Sequence, residues 1–439
     1  MIALVDDPAR DAVLRNWVEQ LSGAEIADVK RISGGAFRTS CRIGLRRPDG
    51  STDTLFLKID LGSAPRTPFD LRREHDLLAR LDGRARAPRA IGFHDGACAM
   101  AMECLAGEAN YAALDEGTQR DRVERSFAEA MVEAHRVDVA TLGLAHLPPG
   151  RSIGEAIHAD LDLWEGLLIG GVPAPDPITL FAFAWCRERM PVDDRPAVLV
   201  QGDTGPGNFL FDSAGVTGVV DWEMTHLGHP LEDVGCVLAR SLVQPMASAE
   251  RLLKLYNEAA GSDWTRAELL YATILVMTRF SVPISLALES RHTGLDYGLT
   301  NGYFRLSQIS LLLLIAAAEG ILLDETVPAG GTRPTIGFEF AYLRAVLGDI
   351  VRPAIDDGYA RYRLDGAIGL ISYIEAVLAE TQATARTDIP ATIDTQRGLI
   401  AADGAALRTA MQHMLDEAQY RELLMQPMLG ALFGRRVRI

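Results

Sequence analysis

The stretch LVQGDTGPGNFLF, Leu199 to Phe211, holds an aspartate, Asp203, five residues before an asparagine, Asn208, between two apolar shoulders. Gly202, Gly205, Pro206 and Gly207 force a tight, irregular turn, and the shoulders read as strands. The polar pair therefore sits on a loop clamped by buried strands. A second apolar run, Val219-Val220-Asp221, ends in another aspartate. Strand ends can bring Asp203, Asn208 and Asp221 to one place. Hard cations take oxygen ligands, which Asn208 and Asp221 can supply, while the Asp203 carboxylate is suited to accept a proton from a hydroxyl.

Upstream of these residues the pattern is that of a small antiparallel sheet with one helix. An amphipathic helix, AVLRNWVEQL, leads into strand-like runs at 29–32, 40–45 and 54–59. Ser33-Gly34-Gly35-Ala36 turns between the first two, and Pro48, Asp49 and Gly50 mark a hairpin between the second and third. Helical periodicity begins at Phe69 and runs through DLRREHDLLARL to about Leu81; AIGFHDG and ACAMAMECL suggest a further strand pair. From about Asn110 the pattern is helical, interrupted by strand and loop at 197–221. Helices resume from Asp233 to Leu323, with Pro283 expected to kink or end one of them. VPAGGTRPT (327–335) reads as a linker, and 336–439 as helices joined by a polar stretch near 381–397.

A chain of 439 residues can bury a large core, and 48% hydrophobic with 23% charged residues is ordinary globular composition. The net charge of −16 argues against nucleic-acid or anionic-membrane partners, which need concentrated Lys and Arg. Five scattered cysteines without a C-x-x-C pair fit a reduced, cytoplasmic protein. No basic region followed by a long apolar core marks a secretory signal in MIALVDDPARDAV. The run Ile309 to Leu323, which contains Glu319, is short for a membrane span and reads as a buried helix.

QGDTGPGNFLF and VVDWE resemble the H-G-D-x-x-x-x-N and I-D-W-E signatures of the aminoglycoside phosphotransferase and choline kinase family, small-molecule kinases related in fold to protein kinases. The likeness covers roughly residues 25 to 325. It implies an α+β, protein-kinase-like two-lobed fold: an N-terminal nucleotide-binding lobe over 1–105 built on a small antiparallel sheet, and a helical catalytic and substrate lobe over 106–326. An additional all-helical C-terminal domain would follow over 336–439.

The resemblance also implies roles. Lys58, ending the strand TLFLK, would bind the α- and β-phosphates, and Glu74 in the helix RREHDLL would hold Lys58. Ser33, Gly34 and Gly35 would form the loop over the phosphates, where glycine exposes backbone N–H groups. Asp203 would be the base, with Asn208 and Asp221 as Mg²⁺ ligands. MAMECL, 100–105, would be the strand and hinge whose backbone meets a purine edge. One position departs from the family: Gln201 stands where histidine is usual. In the family that histidine braces the loop, and an amide also donates and accepts.

Taken singly, each residue has a structural account. Asp203 and Asn208 could be loop caps, Asp221 a strand-end cap, Lys58 an edge-strand lysine and Glu74 a solvated helix charge. Their order and spacing together favour chemistry. Glu223, His226, His229 and Asp233 lack zinc-site spacing and read as structural, Asp233 as a cap of the next helix. His135 and Trp222 read as core.

The function that follows is an ATP- or GTP-dependent, Mg²⁺-requiring phosphotransferase acting on a hydroxyl of a small molecule. The alternatives are a catalytically impaired nucleotide-binding regulator and a scaffold. DWEMTHLGHPLEDV and the segment 341–378 resemble the branch associated with acyl-CoA dehydrogenases, which makes a hydroxyacyl thioester or related metabolite the expected acceptor; an aminoglycoside or macrolide stays open.

Overall fold

Asp7 and Pro8 start the first helix: the Asp7 side chain accepts from the N–H groups of Ala9 and Arg10, and Pro8 lacks the N–H that would go unpaired there. This helix, α1 (Pro8–Ser22), ends at Gly23 in the left-handed conformation. The computed structural model describes residues 2–32, 38–60, 62, 70–115, 117–290, 297–326, 338–380, 393–401 and 404–439. Two compact units divide the chain. One comprises 1–157, 192–240 and 244–269; the other comprises 158–191, 241–243 and 270–439.

The first unit carries a five-stranded antiparallel sheet of β1 (Glu25–Ile32), β2 (Arg38–Arg46), β3 (Thr52–Asp60), β4 (Ala90–His94) and β5 (Ala99–Glu103), in the order β1-β2-β3-β5-β4. The strand runs of the sequence reading appear: β1, β2 and β3 are extended by a few residues, and β4 and β5 are shorter than AIGFHDG and ACAMAMECL. Alternation along β3 sends Leu55, Leu57 and Ile59 into a core with Val29, Ile43, Leu14 and Val18. Lys58 consequently faces the other way, paired in register with Ser40 of β2 and Met100 of β5. The helix α2 (Leu71–Leu81), capped by Asp70, buries Leu71, Leu77, Leu78 and Leu81 together with Glu74.

Downstream in the same unit lie α3 (Thr118–His135) and the short strands β6 (Val198–Val200), β7 (Phe209–Phe211), β8 (Val216–Val219) and β9 (His226–Gly228). β6 pairs with β9, and β7 with β8. Hairpin pairing of β7 and β8 sets the stretch bearing Asp203 and Asn208 beside Asp221. Between α3 and β6 run α4 (Ile153–Gly171) and α5 (Pro177–Glu188); after β9 come α6 (Leu231–Arg240), α7 (Ala249–Ala260), α8 (Arg266–Ser290) and α9 (Tyr297–Ala318).

α8 runs through Pro283 without ending, so the ring removes a ladder bond but does not stop the helix. It is the one helix among the described residues long and apolar enough to cross a membrane, and most of its apolar stretch is buried inside the protein.

The second unit's tail is helical: α10 (Phe338–Ala345), α11 (Gly358–Glu380), α12 (Ile393–Ile400) and α13 (Gly404–Leu424). α12 packs on α5 and α13 on α9. Part of the polar stretch near 381–397 is thus helical, from 393 onward; 381–392 and the expected linker at 327–335 lie outside the described residues. The helical spacing of Leu343, Val346 and Ile350 predicts a buried face, yet Leu343 is 42% and Ile350 67% exposed in this chain. Spacing specifies a shared face, but not that a neighbour covers it.

Candidate active site

Lys58 and Glu74 meet because a strand and a helix present them to the same side of the sheet. Lys58 Nζ donates to Glu74 Oε1 at 2.7 Å and to Asp221 Oδ1 at 2.5 Å. Glu74 is 1% exposed, and its Oε1 also accepts from the backbone N–H of Trp222, tying α2 to the segment after β8. Arg38, at the start of β2, pairs with Glu223 and lies 3.6 Å from Glu74 Oε2. Burial pushes the Lys58 ammonium towards neutrality, but Asp221 and Glu74 outweigh it and hold its pKa above the usual lysine value. Burial likewise pushes Asp221 up, and Lys58, with Arg38 and Arg240, more than reverses it.

Asp221 adopts φ 64°, ψ 59°, a left-handed backbone uncommon outside glycine. Gln201 secures it. Its amide Nε2 donates to the carbonyls of Val220 (2.9 Å) and Asp221 (2.6 Å), while its Oε1 accepts from Asp203 N–H at 2.7 Å. The side chain that replaces the family's histidine thus braces both aspartate-bearing segments with three hydrogen bonds. The next residue, Gly202, has φ +89°, and a Cβ there would strike the Met224 carbonyl.

The Asp203 carboxylate is fixed at both oxygens. Asn208 Nδ2 donates to Oδ2 at 2.7 Å and to the Asp203 carbonyl at 2.7 Å, and Arg240 Nη1 donates to Oδ1 at 2.6 Å. Burial raises the Asp203 pKa above the usual aspartate range; Arg240 opposes this and the nearby Asp221 charge adds to it. Gln201 bridges the Asp203 and Asp221 backbones, and Val220 N–H donates to the Asn208 carbonyl at 2.9 Å, so the segments carrying the two carboxylates lie side by side. Oxygens of Glu74, Asp221 and Glu223 also lie within 4.8 Å of one another.

Lys58, Glu74, Asp203, Asn208 and Asp221 are therefore brought together, and Ser33, Gly34 and Gly35 lie outside the described residues. His135 is a core residue as expected, bonded to Tyr256 Oη and Asp233 Oδ2, and Trp222 is buried. Asp233 is not a helix cap. It is the third residue of α6, fully buried, and its carboxylate accepts from the N–H groups of Gln201 (3.0 Å) and Gly202 (2.9 Å). A helix's first turn tolerates an acid whether or not it caps, so position alone misleads. Arg38, Asp233 and Arg240 are site residues that sequence reasoning missed; nothing in their local spacing marks them.

The description "Phosphotransferase enzyme family" matches residues 28–270, over half of the chain. The probable acyl-CoA dehydrogenase IBR3 of Arabidopsis thaliana is 29% identical over 177 residues, 34% of this chain and 21% of that protein. The chain thus spans about a fifth of that relative's length. An aminoglycoside 3'-phosphotransferase of Enterococcus faecalis is 22% identical over 229 residues, 49% of this chain and 83% of that enzyme. Among solved structures, a putative aminoglycoside phosphotransferase from Ralstonia eutropha superimposes with a TM-score of 0.53 at 16% identity, covering 70% of this chain and 98% of that one. That likeness bears on fold, and the fold is the protein-kinase-like one: a small antiparallel sheet joined to a helical part, with additional C-terminal helices. With the signature stretches inside the matched span, the chain belongs to the phosphotransferase enzyme family.

Proposed function

We propose that this protein transfers the γ-phosphoryl group of ATP to a hydroxyl of a small molecule. The observation that carries the reading is the Lys58 ammonium held between Glu74 and Asp221, beside an Asp203 carboxylate fixed by Asn208 and Arg240. Lys58 binds the α- and β-phosphates and Glu74 orients it. Asp203 accepts the acceptor's hydroxyl proton as that oxygen bonds to the γ-phosphorus. The bond from phosphorus to the β,γ-bridging oxygen breaks, and its electron pair leaves with ADP. Such transfers depend mainly on positioning and electrostatics.

The residues fit Mg²⁺. Their donors are hard oxygens, the Asp221 side chain is one-third exposed, and Asn208 has its amide nitrogen committed to Asp203, leaving its oxygen as the ligand. Bound there, Mg²⁺ supplies positive charge against the phosphate oxygens. In this reading Ser33, Gly34 and Gly35 cover the phosphates, residues 1–105 serve the nucleotide, 106–326 the acceptor, and 336–439 form a helical accessory domain.

For the acceptor we favour a hydroxyacyl thioester, supported by the likeness to a protein named as an acyl-CoA dehydrogenase. A second reading, an aminoglycoside acceptor, is supported by the match over 83% of an aminoglycoside 3'-phosphotransferase. Labelled ATP incubated with 3-hydroxyacyl-CoA, an aminoglycoside and a macrolide tests both. The wild type should label one class, and Asp203→Ala should lose about 10²- to 10⁴-fold in rate with nucleotide affinity nearly intact. Nucleotide binding without transfer to any acceptor or to water would identify a regulator instead.

A further inference from the structure

One helix grips both ends of the loop that carries the proposed base. In the first turn of α6, the Asp233 carboxylate accepts from the backbone of Gln201 and Gly202. In its last turn, Arg240 donates from Nη1 to Asp203 Oδ1 at 2.6 Å and from Nη2 to the Pro206 carbonyl at 3.0 Å. Seven residues separate the two, close to two helical turns, so both project from one face roughly 10 Å apart. The loop is shaped for the arginine: Gly205 has φ +138°, and a Cβ there would lie 3.0 Å from Arg240 Cδ and 3.3 Å from its Nε.

We propose that Arg240 is a positioning residue of the phosphotransferase, locking the Asp203 carboxylate and the Gly205-Pro206-Gly207 turn to α6 as one piece. The inference rests on the reading of Asp203 as proton acceptor. A carboxylate presents about four acceptor directions. Arg240 takes one on Oδ1 and Asn208 one on Oδ2, which fixes the plane of the group and leaves free lone pairs for a hydroxyl. The second guanidinium bond, to Pro206, matters equally, because that carbonyl belongs to the turn that sets where Asn208 stands. A planar fork can serve two acceptors at fixed separation; an ammonium is a single point.

The test uses the full-length chain, Mg²⁺ and ATP, with water as acceptor and ADP release as the readout. Arg240→Ala should lower kcat by about 10- to 100-fold, the scale of a misplaced reacting group. KM for ATP should stay within about threefold, since the interaction is made with the base and not with nucleotide. Guanidinium chloride, far below denaturing concentration, should restore part of kcat in Arg240→Ala but not in Asp203→Ala, and Arg240→Lys should fall between wild type and Arg240→Ala. Unchanged kcat overturns the proposal, as does a loss that neither guanidinium nor lysine relieves or one matched by a rise in KM. A wild type with no turnover refutes the phosphotransferase reading itself; crystal structures then decide on Arg240. In them an Asp203 carboxylate turned away in Arg240→Ala supports the positioning role, and one left in place overturns it.

Discussion

Replacing Asp233 with alanine should loosen the loop that carries Asp203 before it unfolds anything else. Asp233 is 0% exposed, and its carboxylate is the acceptor for Gln201 N–H at 3.0 Å, Gly202 N–H at 2.9 Å and His135 Nε2 at 2.9 Å. Alanine leaves those donors facing an apolar gap. Hydrogen bonds to a charged group are worth roughly 1.5–3 kcal/mol each, so losing the two backbone bonds alone costs about 3 kcal/mol or more. At about 1.4 kcal/mol per tenfold, protection of the loop amides against hydrogen exchange should fall by at least roughly a hundredfold. The assay is hydrogen exchange followed by mass spectrometry on peptides spanning 199–211, with β3 peptides as the internal reference. Exchange reports local opening directly, which suits a chain of two compact units better than a single unfolding free energy. Asp233→Asn, which keeps one oxygen acceptor but turns an NH₂ towards the other donor, should show an intermediate loss. If the 199–211 amides of Asp233→Ala stay as protected as in wild type, the loop is held by something other than α6 and the reasoning fails.

Asp221→Ala should abolish the Mg²⁺ dependence of nucleotide affinity, because it removes an anionic oxygen from the proposed metal site; titration of labelled nucleotide with and without Mg²⁺ checks this, and a metal effect that survives would make Asp221 a structural residue. Gln201→His should keep turnover but lose loop stability by about 1 kcal/mol, since a neutral imidazole replaces at most two of the three hydrogen bonds Gln201 makes; complete loss of activity in a folded variant would contradict the bracing role. Burial pushes the His229 pKa down to about 4 from 6.5, with its Nδ1 accepting from Leu231 N–H. The unfolded chain takes up that proton below about pH 6.5 and the folded one only near 4, so stability should fall as pH drops through this window, by up to about 3 kcal/mol. Thermal unfolding from pH 7 to 4.5 tests it, with His229→Asn expected to flatten the profile; equal slopes in the two proteins would refute the assignment.

Sequence alone determined the elements and the chemistry on them, because both are local. Period-2 alternation puts Leu55, Leu57 and Ile59 on one face of β3 and so sends Lys58 to the other, and the glycines and proline of 202–207 dictate a turn whatever surrounds it. Five of the eight residues expected at the site are found together, although their meeting is itself long-range, Lys58 bonding Asp221 across 163 positions; the other three, Ser33, Gly34 and Gly35, fall outside the described residues. Tertiary structure decided which distant groups hold the chemistry in place. Arg240 reaches Asp203 across 37 positions, Asp233 binds the amides of Gln201 and Gly202 from 31 to 32 positions away, and Arg38 pairs with Glu223 across 185. No periodicity encodes such pairs, since a buried donor and acceptor need only meet in space. The tail shows the same limit from the other side: Leu343 and Ile350 share a helical face by spacing, and only packing reveals that this chain leaves them exposed. Burial is a property of the neighbour as much as of the residue.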